Sequence, residues 1–211
     1  MKTKVAATLL GFFFLCCLPA FSQNAAQARQ VMLKTLDLIQ NPHGIELNYH
    51  VQFTRFFSKD GVLAMKGNMF HRESKRTEEW YDGSNHWALN KASQKIKLNM
   101  PTEYGNDKDL GKYLEQVRTD YDFTLDNSQK HYVISIKAKK DAKVDIKEAI
   151  AYISKTTYEP IQVKMKWSIF WLTLDILTMK EVSYPDFYYR FDRSKHPNAK
   201  VIVKKKIKRG D

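Results

Sequence analysis

Cysteine is confined to the start of the chain, where Cys16 and Cys17 are the only two among 211 residues. The same segment is typical of an export signal, because Lys2 and Lys4 precede an uncharged apolar run and small residues follow it. We expect residues 1–23 to be removed as a signal peptide and residues 24–211 to form one domain in the periplasm. That domain would have no disulfide, no thiolate nucleophile and no metal bound by cysteine.

Two alternatives for the N-terminus are an uncleaved membrane anchor and a lipid-modified cysteine. The apolar run over residues 5–18 is short for a transmembrane helix. Phe14 and Leu15 are larger than the residues that normally precede a lipidated cysteine. Both observations favour export with cleavage near residue 23, and the remaining chain is long enough for one substantial core.

Glycine is also scarce, with eight in the whole chain, which leaves little material for loops that bind phosphates or dinucleotides. The sequence has no Gly-x-Ser-x-Gly elbow, and its six histidines are scattered without the spacing of a helical metal site. Residues 120–126 resemble a calcium loop only superficially, because they lack its central glycine and closing glutamate. We therefore expect no catalytic site, no metal and no cofactor.

Acidic residues are too few to balance the basic ones, and the formal net charge is +12. Loss of Lys2 and Lys4 with the signal would lower this charge by two. In an exported protein such a charge favours anionic lipid headgroups and acidic envelope surfaces, and we expect no nucleic-acid partner. Residues 204–209 hold part of the excess in a basic tail, which we interpret as solvated.

Hydrophobic periodicity predicts a chain made mostly of strands. Residues 25–40 have the apolar spacing of a helix, and the period changes to two over residues 45–54. Asp82-Gly83 predicts the turn of a hairpin over residues 76–89, and a second helix is predicted over residues 109–117. The other predicted elements are a turn at 58–61, a loop at 101–107, and strands over 62–71, 95–98, 120–126, 132–136, 146–154, 161–167, 172–176, 186–192 and 200–203.

About ten strands with one apolar face, joined by short turns, predict a mainly β (α+β) fold built on a single antiparallel sheet. Two amphipathic helices cannot cover so wide an apolar face. We therefore expect the sheet to curl into an incomplete barrel whose concave side is partly covered by a helical lid. An apolar cavity would remain between the sheet and the lid.

Large aromatic and aliphatic side chains on the predicted strands are candidates for the wall of that cavity, since such side chains adapt to flexible ligands. Ordinary core packing is the alternative for each of them. The candidate wall residues are Leu47, Tyr49, Val51, Phe53, Met65, Trp80, Trp87, Leu89, Ile96, Met165, Trp167, Leu172 and Leu174. The candidate lid residues are Leu110, Tyr113, Leu114 and Val117.

Asp-Gly-x-x-x-Trp at residues 82–87 is the sharpest of several segments whose order and spacing match one known family. The other matching segments are the amphipathic first helix and residues 51–55, 66–70, 157–160, 187–192 and 197–201. Together these segments, which extend through nearly the whole mature chain, resemble the LolA/LolB-like family of outer-membrane lipoprotein carriers.

The resemblance implies an incomplete antiparallel barrel with a helical lid that holds acyl chains in an apolar cavity. It also implies a soluble, monomeric periplasmic carrier that receives cargo from an inner-membrane complex and delivers it to an outer-membrane acceptor. The family's carrier has a basic residue beside a proline, which acts in lid closure and cargo release. Arg72 is the candidate equivalent, and no proline accompanies it in His71-Arg72-Glu73-Ser74.

The leading hypothesis is a non-catalytic periplasmic carrier that shields the acyl chains of outer-membrane lipoproteins, or of another lipid, during transfer to the outer membrane. The alternative is an envelope protein-interaction or sensor module that has the same fold and a core filled by its own side chains. An enzyme acting on lipid or glycan ranks third, because the sequence presents no acid–base pair.

Overall fold

A computed structural model describes residues 18–54, 57–99, 110–126 and 130–204. These residues form two α-helices, twelve strands and two short 3-10 helices, and neither α-helix is long and apolar enough to cross a membrane. The α-helices are α1 (Leu18–Ile39) and α2 (Leu110–Thr119), and the 3-10 helices span Asp186–Tyr189 and Arg193–Lys195. The strands are β1 (Ile45–Thr54), β2 (Phe57–Lys66), β3 (Met69–Ser74), β4 (Thr77–Tyr81), β5 (His86–Asn90), β6 (Lys95–Asn99), β7 (Tyr121–Asp126), β8 (Tyr132–Ala138), β9 (Glu148–Ile153), β10 (Pro160–Trp167), β11 (Phe170–Glu181) and β12 (Lys200–Lys204).

Helix α1 begins at Leu18 and therefore includes the expected cleavage site. Cleavage near residue 23 stays a prediction. Three expected features lie outside the described residues. They are the signal up to residue 17, the loop at 101–107 and the basic tail beyond residue 204.

The twelve described strands form one sheet in the order β12-β6-β5-β4-β3-β2-β1-β11-β10-β9-β8-β7. Strands β7 and β12 are its edges, so the sheet stays open, and the expected incomplete barrel is confirmed. The pairing is antiparallel except between β12 and β6, which run parallel. The expectation of a purely antiparallel sheet is therefore wrong at this edge. The chain crosses the sheet between β11 and β12, and β12 then runs beside β6 in the same direction.

Strand register divides the apolar side chains between two faces of this sheet, since directly paired residues have their side chains on the same face. On the face that we call inner, Ile134 pairs with Ala151, Ala151 with Val163, Val163 with Leu174, and Leu174 with Val51. The inner face therefore runs without interruption from β8 to β1.

The opposite face, which we call outer, carries a second continuous row of paired side chains, most of them apolar or aromatic. Ala64 pairs with His71, His71 with Trp80, Trp80 with Trp87, and Trp87 with Leu98. This row runs from β2 to β6, so in this half of the sheet apolar side chains are buried on both faces, Met65 and Tyr81 being buried on the inner face.

Helix α1 covers the inner face near β7 and β8. Ala28, Val31 and Met32 belong to the same buried cluster as Phe123 and Ile134. The Thr35 hydroxyl donates a 2.8 Å hydrogen bond to the carbonyl oxygen of Tyr158 and fixes the helix against the turn before β10. The spacing of its buried residues is the spacing from which the helix was predicted.

The outer face is covered by the C-terminal segment over residues 182–199. Trp80, Leu89 and Ile96 form a buried cluster with Ala199, and Phe191 packs against it. The strand expected over residues 186–192 is wrong: residues 186–189 form a 3-10 helix after Pro185. Tyr188 packs on His71 and Phe191 on Trp80 of the outer face, while Phe187 is exposed, so these side chains do not alternate between two sides as in a strand.

The turn expected at residues 58–61 is wrong as well, because these residues belong to β2. Gly61 is there for a packing reason: a β-carbon at this position would lie 2.5 Å from the Tyr49 hydroxyl and 2.6 Å from the Glu73 carbonyl oxygen. The expected strand over residues 62–71 is broken by a turn at Gly67-Asn68, where Gly67 has a φ of 57°.

The turn predicted at Asp82-Gly83 is confirmed. The Asp82 carboxylate accepts hydrogen bonds from the backbone N–H groups of Ser84 and Asn85, at 3.0 and 2.8 Å. Gly83 has a φ of 90°, a backbone conformation that favours glycine. The aspartate therefore fixes the turn and the glycine permits it.

Replacing Gly61 with alanine should lower the free energy of unfolding by about 1–3 kcal/mol, the usual cost of forcing an extra methyl group into a packed site. The measurement is urea denaturation followed by circular dichroism. Gly67→Asn is the control, because a side chain there meets no atom within 4 Å and asparagine tolerates a positive φ. Equal stability of the Gly61→Ala and wild-type proteins would contradict the packing role of Gly61.

Candidate functional site

The thirteen candidate wall residues do not lie on one face of the sheet. The register places eight of them on the inner face: Leu47, Tyr49, Val51, Phe53, Met65, Met165, Leu172 and Leu174. Trp167 pairs with Phe170 in the same register, and its side chain lies outside the described part of the chain. Trp80, Trp87, Leu89 and Ile96 share the outer face.

The outer-face residues are packed by the chain's own side chains. Trp80, Leu89 and Ile96 are at most 4% exposed. The Trp80 ring stacks on His71 at 5.2 Å and meets the edges of Phe191 and His196 at 5.5 Å each.

Little space is left between this face and the C-terminal segment. The cavity there has a volume of about 70 Å³, which is room for roughly two water molecules. Core packing therefore accounts for Trp80, Leu89 and Ile96, and half-buried Trp87 packs against the same cluster.

The inner face becomes more exposed along β1. Ile45, Leu47 and Tyr49 are buried, Val51 is half-buried, and Phe53 is 38% exposed. Half-buried apolar side chains continue from Val51 across the neighbouring strands. We name this set the apolar stripe, and its members are Val51, Val163, Met165, Leu172, Leu174 and Ile176. Four of its members, Val51, Met165, Leu172 and Leu174, are predicted wall residues, and Val163 and Ile176 are neighbours that the sequence did not single out.

A polar cluster lies on the same inner face, beyond the buried residues of β1. Leu63 pairs with Arg72 and Arg72 with Glu79, so both charged groups share the face of Leu63. The Arg72 guanidinium donates a 2.6 Å hydrogen bond to one Glu79 carboxylate oxygen, and the His86 ring lies 3.2 Å from the other. Arg72 thus lies on the same face as the apolar stripe, and Glu79 and His86 are polar partners that sequence reasoning missed.

The charges of this cluster depend on one another. Burial alone would raise the pKa of Glu79, but the hydrogen bond with His86 and the positive charge of Arg72 lower that pKa to about 2. Burial, together with the charge of Arg72, also lowers the pKa of Lys59, whose ammonium group donates a 3.0 Å hydrogen bond to the Thr77 hydroxyl. One carboxylate therefore faces two neighbouring cations on the inner face.

Of the four candidate lid residues, Val117 packs against the cluster under α1, Leu114 is half-buried and Tyr113 is exposed. The side chain of Leu110 lies outside the described part of the chain. Arg118 holds α2 beside α1, because its guanidinium donates to the Asp37 carboxylate at 2.7 Å and to the Gln40 side chain at 2.5 Å. Helix α2 therefore lies against α1 and near the edge strand β7.

A second depression, of about 400 Å³, opens at the C-terminal end of β11 and is lined by His43 and residues 181–183. Three of its four lining residues, His43, Glu181 and Ser183, are polar, so it does not suit an acyl chain. No three of the described His, Cys, Asp and Glu side chains lie close enough to share a metal ion.

Replacing Glu79 with glutamine should destabilise the protein at pH 7 by about 2 kcal/mol, because Arg72 then loses the carboxylate that balances its charge. The folded-state pKa of Glu79 is lowered, so its stabilisation is present above pH 5 and is lost as the pH falls to about 2. The stability difference between wild type and variant should shrink across that window in thermal unfolding. Glu73→Gln is the control, since this half-exposed partner of Lys91 should contribute less than about 0.5 kcal/mol.

Three comparisons with known proteins bear on this geometry. The model of the family described as outer membrane lipoprotein carrier protein LolA matches residues 18–168. A search of curated proteins finds no match. An uncharacterized conserved protein from Thermus thermophilus is structurally similar, with a TM-score of 0.58 at 7% identity, over 84% of this chain and 99% of that one.

Two other solved structures are less similar. The LolA superfamily protein NE2245 from Nitrosomonas europaea has a TM-score of 0.41 at 11% identity, over 78% of this chain and 97% of that one. The Mycobacterium tuberculosis lipoprotein LppX has a TM-score of 0.42 at 9% identity, over 76% of this chain and 97% of that one. The Thermus protein supports the fold, and the family model covers most of the chain, including α1, strands β1 to β10 and the polar cluster. On this evidence the chain belongs to the family of the outer membrane lipoprotein carrier protein LolA.

Proposed function

We propose that this protein is a non-catalytic carrier that binds acyl chains of a lipoprotein, or of another lipid, along the apolar stripe of the inner face. The single observation that carries this proposal is the stripe itself. Six apolar side chains on three adjacent strands are only half-buried, although the neighbouring clusters are fully packed. An acyl chain would complete the burial of these side chains.

The energetics of such binding need no polar chemistry. An acyl chain that buries about ten methylene groups gains roughly 8 kcal/mol on leaving water. Before the cost of association is subtracted, that free energy corresponds to a dissociation constant of about 1 μM. A reversible carrier requires an affinity that binds its cargo and still releases it.

The polar cluster gives the inner face a charged end beside the stripe. Arg72 on β3 pairs directly with Leu63 on β2. Leu63 in turn packs against the same buried cluster as Val51. In the proposed carrier Arg72 acts in cargo release, since its bond to Glu79 can exchange for one to a cargo or lid group. Until that exchange, Glu79 holds the guanidinium, and the contact with His86 positions Glu79.

The proposed setting is the periplasm, where the protein would take cargo from an inner-membrane donor and pass it to an outer-membrane acceptor. Family membership and the export-like N-terminus support this setting. We also propose that the carrier is a monomer, with α2 as a movable cover that Arg118 latches to α1.

An envelope interaction module is the second candidate, and one observation favours it. The outer face is filled by the chain's own aromatic residues, as that hypothesis expects for the whole core. The inner stripe decides between the two candidates, because a carrier requires it to accept a ligand and an interaction module does not.

Replacing Val51 with tryptophan should weaken binding of a fluorescent fatty acid by at least about tenfold, because the indole occupies the stripe where the chain would lie. Titration followed by fluorescence measures the dissociation constant, and native mass spectrometry of gently purified wild-type protein should detect bound acyl species.

Val62→Trp is the matched control, since Val62 is also a half-buried valine on an adjacent strand but lies on the outer face. Its dissociation constant should remain within about twofold of the wild-type value, since the inner face is unchanged. Equal weakening by both substitutions, or no fatty-acid binding by the wild type, would exclude an acyl carrier that uses this stripe.

A further inference from the structure

Five large apolar side chains are exposed together at one end of the sheet. They are Phe53, Phe57, Ile169, Phe170 and Trp171, and we name them the apolar tip. Ile169 is 79% exposed, Phe57 71%, Phe170 50% and Trp171 42%. Single exposed apolar residues are ordinary, but a contiguous group of this size usually marks an interaction surface.

Strand order explains why these residues meet. Strands β2, β1, β11 and β10 are consecutive neighbours in the sheet. The β1–β2 hairpin and the β10–β11 hairpin both turn at the same end, because β1 runs toward that end and its antiparallel partner β11 runs away from it. The rings of Phe53 and Phe170 lie 5.8 Å apart and join the two hairpins.

The tip is continuous with the apolar stripe. Phe53 is two residues beyond Val51 on β1, and Phe170 is two residues before Leu172 on β11. Side chains two residues apart on a strand share a face. An acyl chain on the stripe would therefore reach the exposed end of the sheet without leaving apolar surface.

Charged side chains beside the tip are more often basic than acidic. Lys59 follows Phe57 by two residues, and Lys166 pairs with Trp171 in the register. Lys164 lies 5.4 Å from the centre of the Tyr152 ring on the next strand.

Two carboxylates lie near these lysines. Glu148 is bound to Lys166 at 3.1 Å, and Asp60 lies 2.7 Å from the His50 ring. The balance of charge around the tip has the same sign as the whole chain, whose net charge is +12.

We propose that the apolar tip docks this protein onto a lipid bilayer that contains anionic lipid. Aromatic side chains such as tryptophan and phenylalanine favour the interfacial layer of a membrane. Lysines beside them would be attracted to anionic headgroups in that layer. The tip lies at the ends of interior strands, away from the edge strands β7 and β12 to which an extended peptide could add, so a planar lipid surface suits it better. The docking builds on the proposed function, since it places the open end of the stripe where an acyl chain leaves or enters the bilayer.

The test is co-sedimentation of the full protein with phosphatidylcholine vesicles, with and without phosphatidylglycerol. The double variant Phe57→Ser/Ile169→Ser should bind vesicles that contain phosphatidylglycerol about tenfold more weakly than the wild type, because two exposed apolar anchors are lost. The matched control is Leu177→Ser/Phe187→Ser, whose side chains are 60% and 72% exposed but lie away from the tip. Its binding should remain within about twofold of the wild-type value.

A second readout does not depend on the folding of the double variant. Tryptophan emission of the wild type should shift to shorter wavelength when these vesicles are added, and Trp171→Phe should remove most of that shift. Equal sedimentation of wild type and double variant would overturn the docking proposal. So would a wild-type protein that sediments with neither kind of vesicle. A tip variant that dissociates a dimer but still binds vesicles would also overturn it, because the tip would then be an interface between copies.

Failure of this proposal is separable from failure of the proposed function. If the double variant still binds a fluorescent fatty acid in solution but no longer sediments with vesicles, both proposals are supported. Vesicle binding that depends on the tip, in a protein that binds no fatty acid, would retain the docking and exclude the acyl carrier.

Discussion

The pairing of β1 with β11 joins the two halves of the sheet, and the positions of the other features follow from it. It aligns Val51 with Leu174, so the inner face continues from the strands under α1 into the N-terminal half. A bulge on β11 beside Asn48 and Tyr49 absorbs one extra residue and keeps the apolar side chains on one side. The same pairing brings the two hairpin ends together and so creates the apolar tip.

The two faces of this sheet are closed by different parts of the chain, and the difference has a functional consequence. The outer face is sealed by the C-terminal segment, where aromatic rings pack around Trp80 within about 5.5 Å of one another. In the part of the chain that the structure describes, α1 covers the inner face mainly near β7 and β8, and its last residue, Ile39, packs against the buried cluster of β1 and β2. Trp80, Leu89 and Ile96 of the outer face are already buried by the C-terminal segment, whereas the apolar stripe of the inner face is only half-buried, which is why the carrier proposal rests on the inner face.

Hydrophobic periodicity, together with the turn chemistry of Asp82-Gly83, was enough to predict most strands, α1, α2 and the hairpin turn. Each of these elements depends on residues close together in sequence. It could not assign Trp80 and Trp87 to a face. That assignment depends on the register through three successive hairpins, and a shift of one residue in any of them exchanges the faces. Gly61 was misread as a turn residue because its role, making room for Tyr49 on the neighbouring strand, is a contact between strands. The pairing of Glu79 with Arg72 and His86 was missed for the same reason.

Paramagnetic relaxation in methyl-labelled protein with a spin-labelled fatty acid tests the central claim most directly, because it identifies the face that a bound acyl chain contacts. The account predicts that the methyl signals of Val51, Leu174 and Ile176 on the inner face broaden as the fatty acid is added. The signals of Leu89 and Ile96 on the outer face should stay sharp. Broadening of the outer-face signals instead, or equal broadening on both faces, would contradict the assignment of the acyl site to the apolar stripe.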